Sequence, residues 1–128
     1  MKKILVVEDN GKNMYLISFI IEKMGHLPIQ AGSGEEGIDR AERERPDLIL
    51  MDIQLPGIDG LETTRRIRAS TAGIKSPIIA ITSFAMTGDR ERLLAAGCNG
   101  YIEKPINPET IMEEIAAYLA REEDDQAH

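Results

Sequence analysis

The sequence has few of the residues that mark several classes of protein. Its 128 residues include one cysteine, no tryptophan, two phenylalanines and three tyrosines. A single thiol cannot form an internal disulfide, which favours a reducing compartment. No apolar run approaches the ~18 residues of a membrane span, and the run near the start covers only residues 4–7, too short for a secretory signal. These absences predict a cytoplasmic protein without a membrane segment.

Positive charge is also scarce. The chain has 15 lysines and arginines against 22 aspartates and glutamates, which gives a formal net charge of −7. An acidic domain repels nucleic-acid phosphates and anionic membrane surfaces, and no basic patch offsets that repulsion. We therefore expect neither nucleic acid nor membrane as a partner. The length suits one domain that can bury a core without disulfides.

Five apolar runs alternate with helical patterns along the chain. The runs occupy residues 4–7, 27–31, 48–51, 78–81 and 100–102, and capping residues such as Ser33, Asp59 and Asn107 begin helices between and after them. Alternation of this kind predicts an α/β fold with a doubly wound, five-stranded parallel sheet and five helices on both faces. The order 2-1-3-4-5 would place the second strand, which ends without charge, at the edge.

The last two helices differ in how well their patterns are defined. The fourth has only Leu93 and Leu94 as strong apolar anchors, whereas the fifth has a regular apolar face. Residues 121–128 are acidic and have no apolar anchor. We therefore predict one domain over residues 1–120 and a disordered acidic tail over residues 121–128.

Polar side chains follow four of the five apolar runs. Glu8 and Asp9 follow the first, Asp52 the third, Thr82 the fourth and Lys104 the fifth. The carboxyl ends of parallel strands meet at one edge of a sheet. Three carboxylates there repel each other by about 4 kcal/mol per pair at ~4 Å and an effective dielectric near 20. Such a cluster requires raised pKa values or a cation, and all-oxygen ligands favour a hard ion such as Mg²⁺.

Four motifs, in this order, carry a resemblance to a known family. They are "VVEDN" (6–10), "LILMDIQLPGIDG" (48–60), "AITSFAM" (80–86) and "YIEKPI" (101–106). Over about residues 2–120 the chain resembles a response-regulator receiver domain, the phosphoacceptor module of two-component signalling. The resemblance implies a flavodoxin-like receiver fold. It also implies a signalling domain that catalyses only its own phosphorylation and dephosphorylation, rather than an enzyme with a separate substrate.

The resemblance assigns a role to each motif residue at the acidic end of the site. Asp52 is expected to be the phosphoacceptor. Asp9 is expected to bind Mg²⁺ or Mn²⁺ directly, and Glu8 through water. The backbone carbonyl of Gln54 is the expected third protein ligand.

The remaining motif residues are expected to act on the phosphoryl group or respond to it. Lys104 and Thr82 match the lysine and the switch hydroxyl that contact phosphoryl oxygens in this family, and Tyr101 matches the switch aromatic. A cis peptide bond is expected between Lys104 and Pro105. Phe84, two residues after Thr82, is a candidate for hindering an attacking water.

The resemblance also implies partners. A histidine kinase or a histidine phosphotransfer protein would donate the phosphoryl group, and a target protein would bind the face of helix 4, strand 5 and helix 5. The chain resembles a single-domain regulator, monomeric or weakly dimeric. Two alternatives stay open: a receiver fragment of a larger regulator or hybrid kinase, and a pseudo-receiver that docks without phosphorylation.

Two other functions fit the sequence poorly. A flavin-binding protein needs a phosphate-binding loop after the first strand, but "EDNGKN" is acidic there and few aromatics are present to stack on a ring. Phosphatases with an aspartyl-phosphate intermediate commonly have a second aspartate two residues after the nucleophile. Gln54 occupies that position here, and an amide cannot act as a general acid.

Overall fold

Strands and helices alternate throughout the part of the chain that the computed structural model describes, residues 1–83 and 87–127. The strands are β1 (Lys3–Val7), β2 (Leu27–Ala31), β3 (Leu48–Asp52), β4 (Ile78–Thr82) and β5 (Gly100–Glu103). The helices are α1 (Gly11–Lys23), α2 (Gly34–Glu44), α3 (Gly60–Ala69), α4 (Thr87–Ala96) and α5 (Pro108–Ala127). All neighbouring strands are parallel, in the order β2-β1-β3-β4-β5. The predicted fold class and strand order are confirmed.

The central strands are buried on both faces of the sheet. Every residue of β3 and β4 is buried, because helices cover the sheet on either side. Alternate residues of β1 belong to opposite cores: Leu5 and Val7 pack with α2, α3 and α4, whereas Ile4 and Val6 pack with α1 and α5. These two apolar layers hold the strand ends in fixed positions at the carboxyl edge of the sheet.

Capping side chains begin the helices where the sequence predicted them. Ser33 accepts a hydrogen bond from the Glu36 backbone amide at 3.2 Å, and Asp59 accepts one from the Glu62 amide at 2.8 Å. Asn107 accepts from the Glu109 amide at 3.0 Å. Each cap satisfies a backbone donor that the first turn of a helix leaves unpaired.

The fourth and fifth helices differ from their sequence-based descriptions in detail. Leu93 is buried, but the prediction that Leu94 is a second anchor is wrong, since half of that residue is exposed. Helix α5 continues to Ala127, and the division into a domain over residues 1–120 and a disordered tail stays a prediction. Among the described residues, no helix combines the length and apolar character needed to cross a bilayer.

Candidate functional site

The ends of β1 and β3 bring three carboxylates together. Val7 and Met51 are paired in register across the two strands, so Glu8 and Asp52 follow at the same level of the sheet. Each of Glu8, Asp9 and Asp52 offers a carboxylate oxygen within 4.8 Å of the others. Glu8 and Asp52 are both only 2% exposed, whereas Asp9 faces solvent. The result is a compact acidic site, open on the side of Asp9.

Asp52 accepts two hydrogen bonds on one carboxylate oxygen. The ammonium nitrogen Nζ of Lys104 lies 3.1 Å from Oδ1, and the Gln54 backbone N–H donates to the same atom at 2.9 Å. Burial by itself would raise the pKa of Asp52, but the adjacent Glu8 side chain and these two donors lower it below its usual value. Asp52 is therefore held as a carboxylate, the form that can act as a nucleophile.

The environment of Glu8 raises its pKa, whereas that of Asp52 lowers the pKa of Asp52. Neither of its carboxylate oxygens has a hydrogen-bond partner among the described residues, although both are buried. Burial, together with the neighbouring Asp52 carboxylate, raises the pKa of Glu8 to about 7. An unpartnered buried acid is costly, and a cation at this point would remove that cost.

The donor set fits Mg²⁺. The three side chains offer only oxygen atoms, which hard divalent cations prefer. The unpartnered oxygens of Glu8 supply acceptors that no protein group uses, and the exposed Asp9 leaves room for the waters that Mg²⁺ usually keeps. Gln54 lies two residues after Asp52, with its amide already directed to that carboxylate, so its backbone belongs to the same wall of the site.

Thr82 and Lys104 come from the other side of the site. Ile81, the residue before Thr82, is paired in register with Asp52, which places the buried Thr82 at the edge of the acidic cluster. The Lys104 backbone amide donates to the Thr82 carbonyl at 2.8 Å. This bond ties together the ends of β4 and β5, which carry the hydroxyl and the ammonium group.

The other predicted residues lie along β5 and just after it. The peptide bond between Lys104 and Pro105 is cis. Tyr101 is half-buried on β5 and packs against the core beneath α3 and α4. Its backbone carbonyl accepts a hydrogen bond from the Tyr118 hydroxyl at 3.5 Å. Phe84 lies outside the described residues.

Two supporting features were not identified from the sequence. A side chain at Gly60 would overlap the backbone carbonyl of Asp52, so only glycine lets α3 begin this close to the site. Its position directly after the Asp59 cap was the available signal. Beside Lys104, a cavity of about 370 Å³ is lined in part by Asn13 and Ile106. No local motif marks those two residues, because the sheet brings them together from distant segments.

Comparison with protein families gives a match over most of the chain. The model of the response regulator receiver domain matches residues 4–116. The polar-differentiation response regulator DivK of Brucella anthropi is 46% identical over 118 residues, which cover 92% of this chain and 96% of that protein. DivK of Brucella ovis shows the same identity and coverage.

Solved structures agree with the fold. The receiver domain of the sensor histidine kinase PA1611 from Pseudomonas aeruginosa PAO1, solved with magnesium coordinated in its active-site cleft, is 39% identical. It superposes with a TM-score of 0.83 and covers 93% of this chain and 98% of that one. Chemotaxis protein CheY4 of Vibrio cholerae is 26% identical, with a TM-score of 0.86 over 91% of this chain and 98% of CheY4.

Proposed function

Because the chain belongs to the response regulator receiver domain family, we propose that it takes part in phosphorelay signalling by accepting a phosphoryl group on Asp52. One observation carries the proposal: a buried carboxylate, held ionised, lies 3.1 Å from a lysine ammonium group and within reach of two further carboxylates. The donor is a phosphohistidine on a histidine kinase or a phosphotransfer protein. The DivK relatives, which are response regulators, support this role.

Residues Glu8, Asp9 and Asp52, with the Gln54 carbonyl, would hold Mg²⁺. The bound ion supplies positive charge to the phosphoryl oxygens during transfer. Mn²⁺ has similar ligand preferences and would substitute. Magnesium in the cleft of the PA1611 receiver domain supports this assignment.

The chain's own groups position and stabilise the transferred phosphoryl group. An Asp52 carboxylate oxygen forms a bond to phosphorus in line with the phosphorus–nitrogen bond that breaks, and the imidazole of the donor leaves with that electron pair. Lys104 compensates charge on one phosphoryl oxygen, and the Thr82 hydroxyl donates to another. The protein contributes little covalent chemistry to the transfer, so its prearranged charges account for most of the acceleration of phosphoryl transfer.

The product changes the charge at the carboxyl edge of the sheet. An aspartyl phosphate adds roughly −1.5 to −2 charges and three acceptor oxygens, which draw Thr82 toward them. Tyr101 then turns into the space that Thr82 leaves, and α4 shifts with it. The surface of α4, β5 and α5 thereby becomes the binding face for a target protein. We place this activity in the cytoplasm, in a monomer or weak dimer.

The test is mass spectrometry of the intact chain after treatment with acetyl phosphate and Mg²⁺. The wild type should gain the mass of one phosphoryl group, and Asp52→Asn should gain none, because an amide cannot act as the nucleophile. Asp39→Asn is the matched control, since Asp39 is an exposed α2 residue paired with Arg43. An unmodified wild type would favour a docking module, and equal labelling of Asp52→Asn would remove Asp52 as the acceptor.

A further inference from the structure

The loop between β3 and α3, residues 53–59, carries the Gln54 carbonyl that the proposed metal site uses. Gln54 itself is exposed, whereas Leu55 is buried in the core and Ile58 is half-buried. A backbone carbonyl can serve as a metal ligand only where the surrounding chain holds it in place. The contacts that fix this loop therefore decide where the carbonyl lies.

Backbone hydrogen bonds fix only the start of the loop. The Gln54 amide donates to the Asp52 carboxylate at 2.9 Å, and the Gly60 amide donates to the Ile53 carbonyl at 3.1 Å. Among the described residues, no hydrogen bond of this kind reaches residues 55–58. The rest of the loop is therefore held by the packing of its side chains.

The Ile58 side chain packs into a notch on α2, the space beside Gly34 at the first position of that helix. A Cβ atom on Gly34 would lie 2.6 Å from Cγ1 and 2.8 Å from Cδ1 of Ile58, well inside the ~3.5–4.0 Å of carbon–carbon contact. The same atom would overlap the Thr63 hydroxyl, which donates to the Asp59 carbonyl at 2.7 Å. The Gly34 notch thus receives both the end of the loop and the first turn of α3.

Helix α2 also lies close against β1, the strand that leads to the acidic pair. Gly37 follows Gly34 by three residues, which places the two on one face of the helix. A Cβ atom on Gly37 would lie 2.9 Å from Cγ2 of Val7, and Val7 is fully buried and directly precedes Glu8. One helix therefore contacts both the strand before Glu8 and the loop that carries Gln54.

We propose that Ile58 is a positioning residue for the metal. By packing into the Gly34 notch, it fixes the Gln54 carbonyl at a set distance from the carboxylates of Glu8 and Asp9. The inference rests on the metal site of the proposed function, and it adds a residue that acts on the ion only through the loop. Groups behind a metal ligand typically change metal affinity by about 10–100-fold.

The test is calorimetric titration of the full chain with Mg²⁺, with circular dichroism to confirm that each variant is folded. Ile58→Ala should bind Mg²⁺ about 10-fold more weakly than the wild type, and Ile58→Val, which keeps both branches at Cβ, about 2-fold. In the metal-free protein, Ile58→Ala should also speed hydrogen exchange at the Gln54 amide. Ile74→Ala is the matched control, because Ile74 is buried in the same core but precedes β4, at the opposite edge of the sheet. It should lower stability and leave Mg²⁺ affinity unchanged.

A double variant tests the contact itself. Gly34→Ala alone should weaken Mg²⁺ binding, because the new methyl group displaces Ile58. In the Ile58→Ala background the same methyl group occupies part of the emptied space, so the double variant should bind more tightly than the product of the two single losses predicts.

The proposal is overturned if Ile58→Ala binds Mg²⁺ like the wild type, if Ile74→Ala loses as much affinity, or if the losses at positions 34 and 58 multiply. A wild type that binds no Mg²⁺ would refute the metal site and with it this role of Ile58. Phosphorylation of the wild type by acetyl phosphate is measured separately. Its absence in a protein that binds Mg²⁺ would refute the proposed function and leave the role of Ile58 to the titrations.

Discussion

On one side of Asp52 lie the carboxylates that follow β1, next to α1, and on the other lies Thr82, next to α4. Helix α1 buries Ile17, Ile20 and Ile21 against the sheet, at most 3% exposed. Helix α4 buries Leu93 and Ala96, while Leu94 faces solvent. The acidic side is thus attached to a firmly packed helix, and the Thr82 hydroxyl adjoins a loosely packed one.

This difference indicates a functional division between the two sides: the acidic side serves metal binding, and the side of Thr82 serves switching. A metal site needs fixed ligand positions, which a firmly packed side provides. A switch needs an element with low local stability, since such elements rearrange most easily. Variants on each side, and hydrogen exchange across both, test that division.

Lys104→Ala should separate phosphoryl transfer from metal binding. Without the ammonium group 3.1 Å from Asp52, we expect phosphorylation by acetyl phosphate to slow about 100-fold. Mg²⁺ affinity should be unchanged or higher, because a competing cation has been removed from the acidic cluster. Rapid-mix phosphorylation and isothermal titration with Mg²⁺ would measure the two effects. Lys75→Ala, at an exposed lysine, is the control, and a parallel loss of metal binding would contradict the division.

Glu8→Gln should stabilise the metal-free protein at alkaline pH. The folded pKa of Glu8 is about 7 against an ordinary 4.5, so the folded state binds the extra proton and the wild type loses stability as pH rises between these values. The lowered pKa of Asp52 has the opposite sign, and its contribution is already present above its ordinary pKa. At pH 8 without Mg²⁺ we expect the variant to be more stable by on the order of 2 kcal/mol.

Urea denaturation across pH would measure that effect, with Glu91→Gln on the surface of α4 as the control. Saturating Mg²⁺ should reverse the order, because the ion stabilises the wild type by mass action and the amide is a weaker ligand. If wild type and variant showed the same pH dependence without metal, an ionisable, unpartnered Glu8 would be ruled out.

Much of the fold followed from local sequence. Apolar runs bounded by caps such as Ser33 and Asp59 indicated the elements, and their alternation indicated a parallel sheet. The placement of Glu8, Asp52 and Lys104 at one edge followed from where the strands end. Those inferences needed only short segments and the rule that parallel strands end together.

Properties that depend on packing between distant segments could not be predicted in the same way. Glu8 and Asp52 carry the same functional group, yet burial and the neighbouring Asp52 raise the pKa of Glu8, whereas the Glu8 side chain, the Gln54 amide and Lys104 together lower the pKa of Asp52. Leu94 follows Leu93 in sequence, yet one faces solvent and the other the core. Arg90 of α4 and Arg121 of α5 line one pocket, and no spacing in the sequence indicates that they lie on the same side of the molecule.

Leu93→Ala and Leu94→Ala should differ in stability although the two residues are adjacent. Leu93 is 4% exposed and Leu94 is 50% exposed. Truncation of the buried leucine should cost about 2–4 kcal/mol, and truncation of the exposed one less than about 0.5 kcal/mol. Chemical denaturation of both variants, with Ile17→Ala as the reference for a firmly packed helix, would compare the two sides directly. Equal losses at positions 93 and 94 would show that α4 is packed differently.

Hydrogen exchange should show the smallest of the expected effects, a change in amide protection confined to α4. Addition of Mg²⁺ and beryllofluoride, which stand in for the phosphoryl group, should change amide protection across residues 87–96 of α4. Protection at Ile17, Ile20 and Ile21 of α1 should stay the same, since these residues are buried against strands that already hold the acidic ligands. Thr82→Ala should abolish the change in α4 without affecting Mg²⁺ binding, because the hydroxyl is the proposed link between the two. Unchanged protection across α4 in the wild type would mean that the loosely packed side does not respond to the phosphoryl group.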